Sequence, residues 1–367
     1  MADPDVLENV PDREGDPVGG PSSPAGRRPR WWLALAFAAV LVLVVLAAGI
    51  WFSNANRGLS PAVSSEVPDR FPAATTGVFI EPGDGRTPIL DEIAAARASI
   101  AVEVYIITDE PILQALESAH RRGVEVRVIL EQHPFGGDGR QREIFARLEQ
   151  AGIAVRWGNP VFRFTHIKAM VIDDAVALIM NQNLTASSFS SNREFGVITT
   201  APAAVRTAAA IFAADWSRGA EPDPDPLVVS PTNARASLLR LIEEAETSLD
   251  LYAEVLRDRE LLDALGAAVE RGVRVRLLVS PSADNAKDRA ALAAAGIEVR
   301  VMTNLYVHAK LIVADGARAY VGSQNLSATS LDLNRELGII LDDPVSLARL
   351  ERTFDIDFRT AMPQELP

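Results

Sequence analysis

Cysteine is absent from this chain of 367 residues, and both histidine and lysine are scarce. Without cysteine, the protein can form no disulfide and can hold no cysteine-bound zinc, iron–sulfur cluster or thiol nucleophile. Its four histidines include no His-x-x-x-His pair, the spacing typical of a metal-binding helix face. The sequence therefore predicts neither a metal site nor a cofactor.

Negatively charged residues also outnumber positively charged ones. The chain has 36 Lys and Arg residues against 49 Asp and Glu residues, for a formal net charge of -13. An acidic surface weighs against broad DNA binding, which depends on many Lys and Arg contacts to phosphates, but it leaves a small basic pocket and a nucleic acid substrate open. Hydrophobic residues make up 48% of the chain, which is typical of a globular protein.

One segment is far more apolar than the rest. Residues 31–52 carry no charge, and at about 1.5 Å per residue a helix of this length crosses a bilayer core of about 30 Å. Tryptophans flank it at both ends and three arginines precede it closely. The positive-inside rule then predicts a single-pass protein of the cell membrane. Residues 1–30 would be a disordered cytoplasmic tail, 53–70 a linker, and the rest of the chain extracytoplasmic.

A cleaved signal peptide is the alternative interpretation of the same segment. Signal peptides have apolar cores of about 7–15 residues and end at a small-residue cleavage site. The run at 31–52 is longer, and no clean Ala-x-Ala sequence follows it. An uncleaved membrane anchor is therefore favoured.

The chain repeats itself after residue 70. A first half over 71–220 and a second half over 228–360 each contain three alternations of a helix pattern and a strand pattern. The proline-rich segment 221–227 separates them as a linker. Because helices alternate with strands, the sequence predicts two α/β halves with mostly parallel sheets, related by a pseudo-twofold axis.

Each half contains the pattern His-x-Lys-x4-Asp. The two copies are His166, Lys168 and Asp173, and His308, Lys310 and Asp315. Both motif lysines come from a chain that has three lysines and otherwise uses arginine. An ammonium is a compact point charge and a guanidinium a planar fork, so the two do not replace each other freely at a phosphate. The choice of lysine therefore indicates a phosphate site.

Further residues recur at matched distances from these histidines. Seventeen residues after them lie Asn183 and Asn325, and twenty-eight residues after them lie Glu194 and Glu336. One histidine and one lysine on the same strand face of each half would give two imidazoles and two ammonium groups in one pocket. One imidazole could attack phosphorus and the other protonate the leaving alcohol, while the lysines and asparagine amides hold the phosphate oxygens. Since one chain supplies both half-sites, we expect a monomer.

This duplicated pattern resembles the signature of the phospholipase D superfamily, and the resemblance covers roughly residues 75–360. It implies a metal-free reaction through a phosphohistidine, with His166 as the nucleophile and His308 as the general acid. Glu194 and Glu336 would orient the histidines, and one arrangement has each glutamate serving the histidine of the opposite half. The motif aspartates would brace the site without touching the substrate.

One departure from the superfamily pattern is visible. A glycine and Ser323 follow the second motif, and Ser323 is expected near the phosphate, whereas the first half has a methionine and Asn181 at this place. The difference puts equal roles for the two halves in doubt. Two acidic residues of apolar strand segments, Glu103 and Glu254, either face the site or lie at an edge or strand end.

Three functions fit these features. The favoured one is phospholipase D-type chemistry on phospholipids, with hydrolysis first and phosphatidyl transfer, as in cardiolipin synthesis, second, because the predicted anchor holds the site near a membrane. An extracytoplasmic nuclease of the same superfamily is the alternative, disfavoured by the acidic charge. The third is an inactive module that binds anionic headgroups, which the two intact histidine motifs weigh against.

Overall fold

The computed structural model describes residues 75–135, 139–281 and 286–364, with the side chains of 286–288 left out. The predicted tail, membrane helix and linker, at 1–30, 31–52 and 53–70, lie outside these ranges. Within them, no helix combines the length and apolar character needed to cross a membrane.

The first half contains seven strands and five helices among the described residues. They are β1 (Thr76–Glu81), α1 (Thr87–Ala95), β2 (Ser99–Val104), α2 (Glu110–Arg121), β3 (Glu125–Leu130), α3 (Arg140–Gln150), β4 (Ala154–Trp157), β5 (Lys168–Ile172), β6 (Val176–Met180), α4 (Ala186–Ser190), β7 (Asn192–Thr199) and α5 (Pro202–Ser217). The three predicted helix–strand pairs are confirmed as α1–β2, α2–β3 and α3–β4.

The second half repeats this order after the proline-rich segment. Its elements are β8 (Leu227–Ser230), α6 (Ala234–Glu243), β9 (Ser248–Ala253), α7 (Arg259–Glu270), β10 (Arg274–Val279), α8 (Ala286–Ala294), β11 (Glu298–Val301), β12 (Tyr306–Val307), β13 (Lys310–Ala314), β14 (Arg318–Gly322), α9 (Ala328–Asp332), β15 (Glu336–Leu341), α10 (Pro344–Thr360) and β16 (Met362–Pro363). The predicted helix–strand pairs are again confirmed, as α6–β9, α7–β10 and α8–β11.

Matching capping residues show why the repeats fold alike. Asp109 caps α2 by accepting a hydrogen bond from the backbone N–H of Ile112, and Asp258 caps α7 in the same way. Beyond the C-termini of these helices, Gly123 and Gly272 have φ values of 94° and 90°, which glycine adopts without steric cost. The same start and stop signals thus set the same helix twice.

Each half is built on one mixed sheet, and the prediction of mostly parallel sheets is wrong. The strand orders are β1-β7-β6-β5-β2-β3-β4 and β16-β11-β10-β9-β13-β14-β15-β8. Only β2-β3-β4 and β9-β10-β11 pair in parallel along these orders, and the other neighbours are antiparallel. The reason is that tight turns join β5 to β6 and β13 to β14, and a short connection allows only an antiparallel pair.

The two halves share a hydrophobic core within one compact unit. Buried side chains of β6 and β14, among them Ile179 and Val321, belong to a single cluster that also includes residues of α5 and α10. A second cluster fills the outer layer of the second half between its sheet and α6 and α7. Because one core joins both halves, the segments that meet across it are held in fixed register.

Candidate active site

Each motif histidine lies on a segment that crosses to the opposite half. The backbone N–H of His166 donates to the carbonyl of Arg335 at 2.8 Å, and the N–H of Arg335 donates to the carbonyl of Phe164 at 2.8 Å. In the second half, β12 pairs in parallel with the start of β7. The residues before each histidine are therefore paired with the Asn-Arg-Glu sequence of the other half.

This exchange brings the predicted glutamates to the histidines. His166 Nδ1 lies 2.7 Å from Glu336 Oε2, and His308 Nδ1 lies 2.8 Å from Glu194 Oε2. Each glutamate side chain is fully buried and each histidine side chain is 11% exposed. Because the carboxylate accepts from Nδ1, Nε2 is the ring nitrogen that remains for a substrate. Each glutamate thus contacts the histidine of the opposite half.

The carboxylates are themselves held by neighbouring side chains. Asn334 donates to Glu336 Oε1 at 3.0 Å, and Asn192 donates to Glu194 Oε1 at 3.1 Å, so both halves use the asparagine two residues upstream. Burial alone would raise the pKa of Glu336, but the imidazole of His166 and nearby positive charge outweigh it and lower the pKa. Glu336 therefore stays ionised and fixes the imidazole tautomer.

Both motif lysines are buried beneath the histidines. Each is 1% exposed, and Nζ donates to the carbonyl of the motif histidine, at 2.8 Å for Lys168 and 2.6 Å for Lys310. Burial lowers the pKa of Lys168 to about 7, and the charge of Lys310 contributes to the lowering. The charge of Lys310 also acts on His166, so groups from the two halves form one site.

The motif aspartates lie at the far end of the same strands. Asp173 lies five positions after Lys168, which is roughly 16 Å of extended strand. Asp173 has a φ of 53°, which aspartate tolerates in turns, and accepts hydrogen bonds from three successive backbone N–H groups that end with the first residue of β2. Asp315 binds the backbone at the start of β9 in the same way. These carboxylates anchor neighbouring strands rather than approaching a substrate.

The residues predicted to hold phosphate occupy two kinds of position. Asn183 and Asn325 each have a buried side-chain oxygen without a hydrogen-bond partner, which is an unused acceptor and not the donor that a phosphate oxygen needs. Ser323 is fully buried, accepts from the backbone N–H of Leu337 at 3.0 Å and contacts Glu336. Its hydroxyl is thus already hydrogen-bonded to the backbone beside Glu336.

The two halves differ at one position beside the lysines. Lys168 pairs with Val104 and Lys310 with Ala253 in the sheet register, so the next residues, Tyr105 and Glu254, are equivalent. The Tyr105 ring centre lies 4.5 Å from the His166 ring and 5.0 Å from Lys168 Nζ.

Glu254 instead places a carboxylate in the site. Its Oε2 lies 2.6 Å from Lys310 Nζ and 3.6 Å from His308 Nε2, and Tyr306 donates to its Oε1 at 3.0 Å. Burial would raise the pKa of Glu254, but His308 and Lys310 lower it far below the usual range. Glu254 directly follows the end of β9 and faces the site as an ionised group, so it combines the two positions that the sequence offered as alternatives.

Comparison with known proteins accords with this geometry. The family described as "Cardiolipin synthase, PLD-like domain" matches residues 89–216 and 238–358, which together make up more than half of the chain. The chain belongs to this family of the phospholipase D superfamily. It is 25% identical to a cardiolipin synthase of Oceanobacillus iheyensis, over 77% of this chain and 69% of that one. It is 27% identical to one of Geobacillus kaustophilus, over 79% and 67%.

A solved structure shares the fold. Phosphatidylserine synthase of Haemophilus influenzae superposes with a TM-score of 0.62 at 13% identity, covering 78% of this chain and 87% of that one. At this identity the likeness concerns the fold alone. Among the residues of this protein that the structure describes, no group of three or more histidines and carboxylates is placed to hold a metal ion.

Behind the site, this family member has a polar cluster that sequence reasoning missed. Glu103 is 3% exposed and hydrogen-bonded to Asp215, which accepts from Arg335 Nε at 2.8 Å. Arg335 Nη1 also donates to Glu221 at 2.8 Å. Glu103 therefore faces α5 and not the histidines, and its strand β2 is not an edge strand because it pairs with both β3 and β5.

The second half has the matching cluster with a different donor. Tyr252, equivalent to Glu103, donates to Asp357 Oδ2 at 2.7 Å, and Asp357 also binds Arg193 Nε at 2.7 Å. A signal was present in the sequence, because Asp215 and Asp357 each lie 49 residues after the motif histidine of their own half.

Proposed function

We propose that this protein is a phosphatidyltransferase of the phospholipase D type, which moves a phosphatidyl group to an alcohol through a phosphohistidine. The observation that carries the proposal is the pair of imidazoles, each held at Nδ1 by a buried glutamate of the other half with Nε2 left for a substrate. Two such imidazoles, with two lysines beneath them, supply a nucleophile, a proton carrier and charge for one phosphodiester.

His166 suits the role of nucleophile. Burial lowers the pKa of His166 to about 4, although Glu336 opposes this. The imidazole is therefore neutral at neutral pH, and a neutral ring has a lone pair with which to attack phosphorus. The aromatic ring of Tyr105 beside it adds no negative charge that would repel a phosphodiester.

His308 suits the role of proton carrier. It has Glu194 at Nδ1 and Glu254 near Nε2, so carboxylates stand on both sides of a ring that would become positive. In the first step, His166 Nε2 bonds to phosphorus, the bond to the leaving alcohol breaks, and His308 gives that oxygen its proton. In the second step an alcohol returns a proton to His308, attacks phosphorus and releases His166.

Transfer is proposed ahead of hydrolysis because the relatives are named cardiolipin synthases. Hydrolysis, the first expectation from the sequence, needs only that water replace the alcohol in the second step. The formal net charge of -13 supports a lipid rather than a nucleic acid substrate. The uncharged segment 31–52 supports attachment to the cell membrane, with the site outside the cytoplasm.

The test offers the full chain vesicles of phosphatidylglycerol, with single-stranded DNA in a parallel reaction and EDTA in both. Products are identified by mass spectrometry. We expect cardiolipin or another phosphatidyl-alcohol from the wild type, none from His166→Ala, and normal amounts from His133→Ala, which removes an exposed imidazole outside the pair. Phosphatidic acid alone would indicate a hydrolase, cut DNA a nuclease, and untouched lipid and DNA would refute the enzyme.

A further inference from the structure

We propose that Glu254 binds a second hydroxyl group of the alcohol substrate, so that the protein selects alcohols with two neighbouring hydroxyls, as in glycerol. The proposal rests on the transferase function above. It concerns which alcohol reaches the intermediate, a choice that neither the histidines nor the lysines make.

The position of Glu254 relative to His308 is the first argument. Because Glu194 occupies Nδ1, Nε2 is the atom that exchanges a proton with the alcohol. The reacting oxygen must then lie about 2.8 Å from Nε2. Glu254 Oε2 is 3.6 Å from the same nitrogen. A hydroxyl on the next carbon of the alcohol is therefore within reach of this carboxylate.

The chemistry of the carboxylate is the second argument. An ionised carboxylate only accepts hydrogen bonds, so it repels the phosphate oxygens and attracts a donor. Lys310 and Tyr306 use two of its roughly four acceptor positions, which leaves capacity for an O–H group. Since Lys310 already balances its charge, a neutral hydroxyl suits the site better than a second ammonium group.

The first half provides an internal comparison. Tyr105 fills the equivalent position there, with its ring against His166 and its hydroxyl accepting from the backbone N–H of Phe135. This is the side of the proposed nucleophile, where phosphorus must approach. The carboxylate is found on the side of His308, where alcohols enter and leave.

The experiment measures a product ratio within one reaction. The full chain is given phosphatidylglycerol vesicles with equal concentrations of 1-propanol, 1,2-propanediol, 1,3-propanediol and ethanolamine, and the phosphatidyl products are quantified by mass spectrometry. For the wild type we expect at least about a tenfold preference for 1,2-propanediol over 1-propanol, the effect of one hydrogen bond to a charged group. The preference should fall close to one in Glu254→Gln and be partly kept in Glu254→Asp.

Tyr105→Phe is the matched control, because it changes the equivalent residue and should keep the wild-type ratio whatever its rate. A wild-type ratio near one, or an unchanged ratio in Glu254→Gln, would overturn the proposal, and so would a preference for ethanolamine. Because the wild-type ratio decides by itself, an inactive variant does not leave the idea untested. If the wild type forms no phosphatidyl-alcohol with any acceptor, the proposed function fails instead.

Discussion

Replacing Glu103 with glutamine should remove a pH dependence from the stability of the protein. Glu103 shares a hydrogen bond with Asp215. Among the described residues, this cluster has three carboxyl groups, and Arg335 is the one cation bonded to Asp215 and Glu221. A hydrogen bond between two carboxyl groups needs a proton. The equivalent position in the other half has Tyr252, a neutral donor to Asp357. We therefore expect Glu103 to be a neutral carboxylic acid in the folded protein.

The magnitude follows from proton linkage. Burial, with the charges of Asp215 and Glu221 contributing, raises the pKa of Glu103 well above 4.5, while Arg335 opposes the rise. A raised carboxyl pKa contributes stability below the unfolded value and loses it as the pH rises through the folded value. In that window the free energy of unfolding falls by about 1.4 kcal/mol for each pH unit. Glutamine does not titrate, so the variant should gain stability relative to the wild type as the pH rises from 5, and the gain should stop growing once the pH passes the folded pKa of Glu103.

The assay is equilibrium unfolding of the full chain by urea, followed by tryptophan fluorescence at pH values from 5 to 8. Tyr252→Phe is the control. It removes the matching hydroxyl and should lower the free energy of unfolding by about 1 kcal/mol. This loss should be similar at every pH, because no group that titrates in this range is removed. Parallel stability curves for the wild type and Glu103→Gln would refute the reasoning and place the proton elsewhere.

Three further predictions concern the catalytic groups. His308→Ala should accumulate a phosphoenzyme on His166 with an activated substrate whose leaving group needs no proton, and intact-mass measurement without a trapped adduct would contradict the assigned roles. The pH profile of kcat/KM should rise through about pH 4, as His166 loses its proton, and fall above about pH 7, as Lys168 loses its charge. Lys168→Arg should lower kcat at least about tenfold, because a guanidinium does not fit the place of an ammonium at a positioned phosphate. The variant should also lose the decline of kcat/KM above about pH 7. Wild-type turnover in this variant would disprove the point-charge argument.

The repeated helices and strands could be predicted from the sequence because their signals are local. Apolar spacing, the capping aspartates and the glycines after the helices lie within a few residues of the element that they specify. The orientation of β5 and β13 could not be predicted in this way. It depends on the distant strand that each one pairs with, β2 for β5 and β9 for β13, and no signal within a few residues identifies that partner.

The site could be predicted only in part from the sequence. Equal spacing in both halves identified the histidines, lysines and glutamates, but spacing alone did not establish which glutamate contacts which histidine. That pairing follows from the backbone exchange between Phe164 and Arg335, a contact between residues 171 positions apart. The different neighbours of the two lysines, Tyr105 and Glu254, became comparable only through the strand register.

The departure that first cast doubt on equal halves proves to be structurally conservative. Asn181 Oδ1 accepts from the backbone N–H of Phe195 at 2.7 Å, just as Ser323 Oγ accepts from that of Leu337. Both side chains thus bind the backbone N–H of the residue that follows the glutamate, within the strand that contains it.

The inequality between the halves lies instead where each lysine faces the site. An aromatic ring stands beside His166, and a carboxylate stands beside His308. The shared parts hold two imidazoles in the same way, whereas the unequal neighbours fit the roles proposed above, with His166 attacking phosphorus and His308 exchanging a proton with the alcohol. Under the proposed roles, a symmetric fold would run an asymmetric reaction through the matched position beside the lysines, where one half has Tyr105 and the other Glu254.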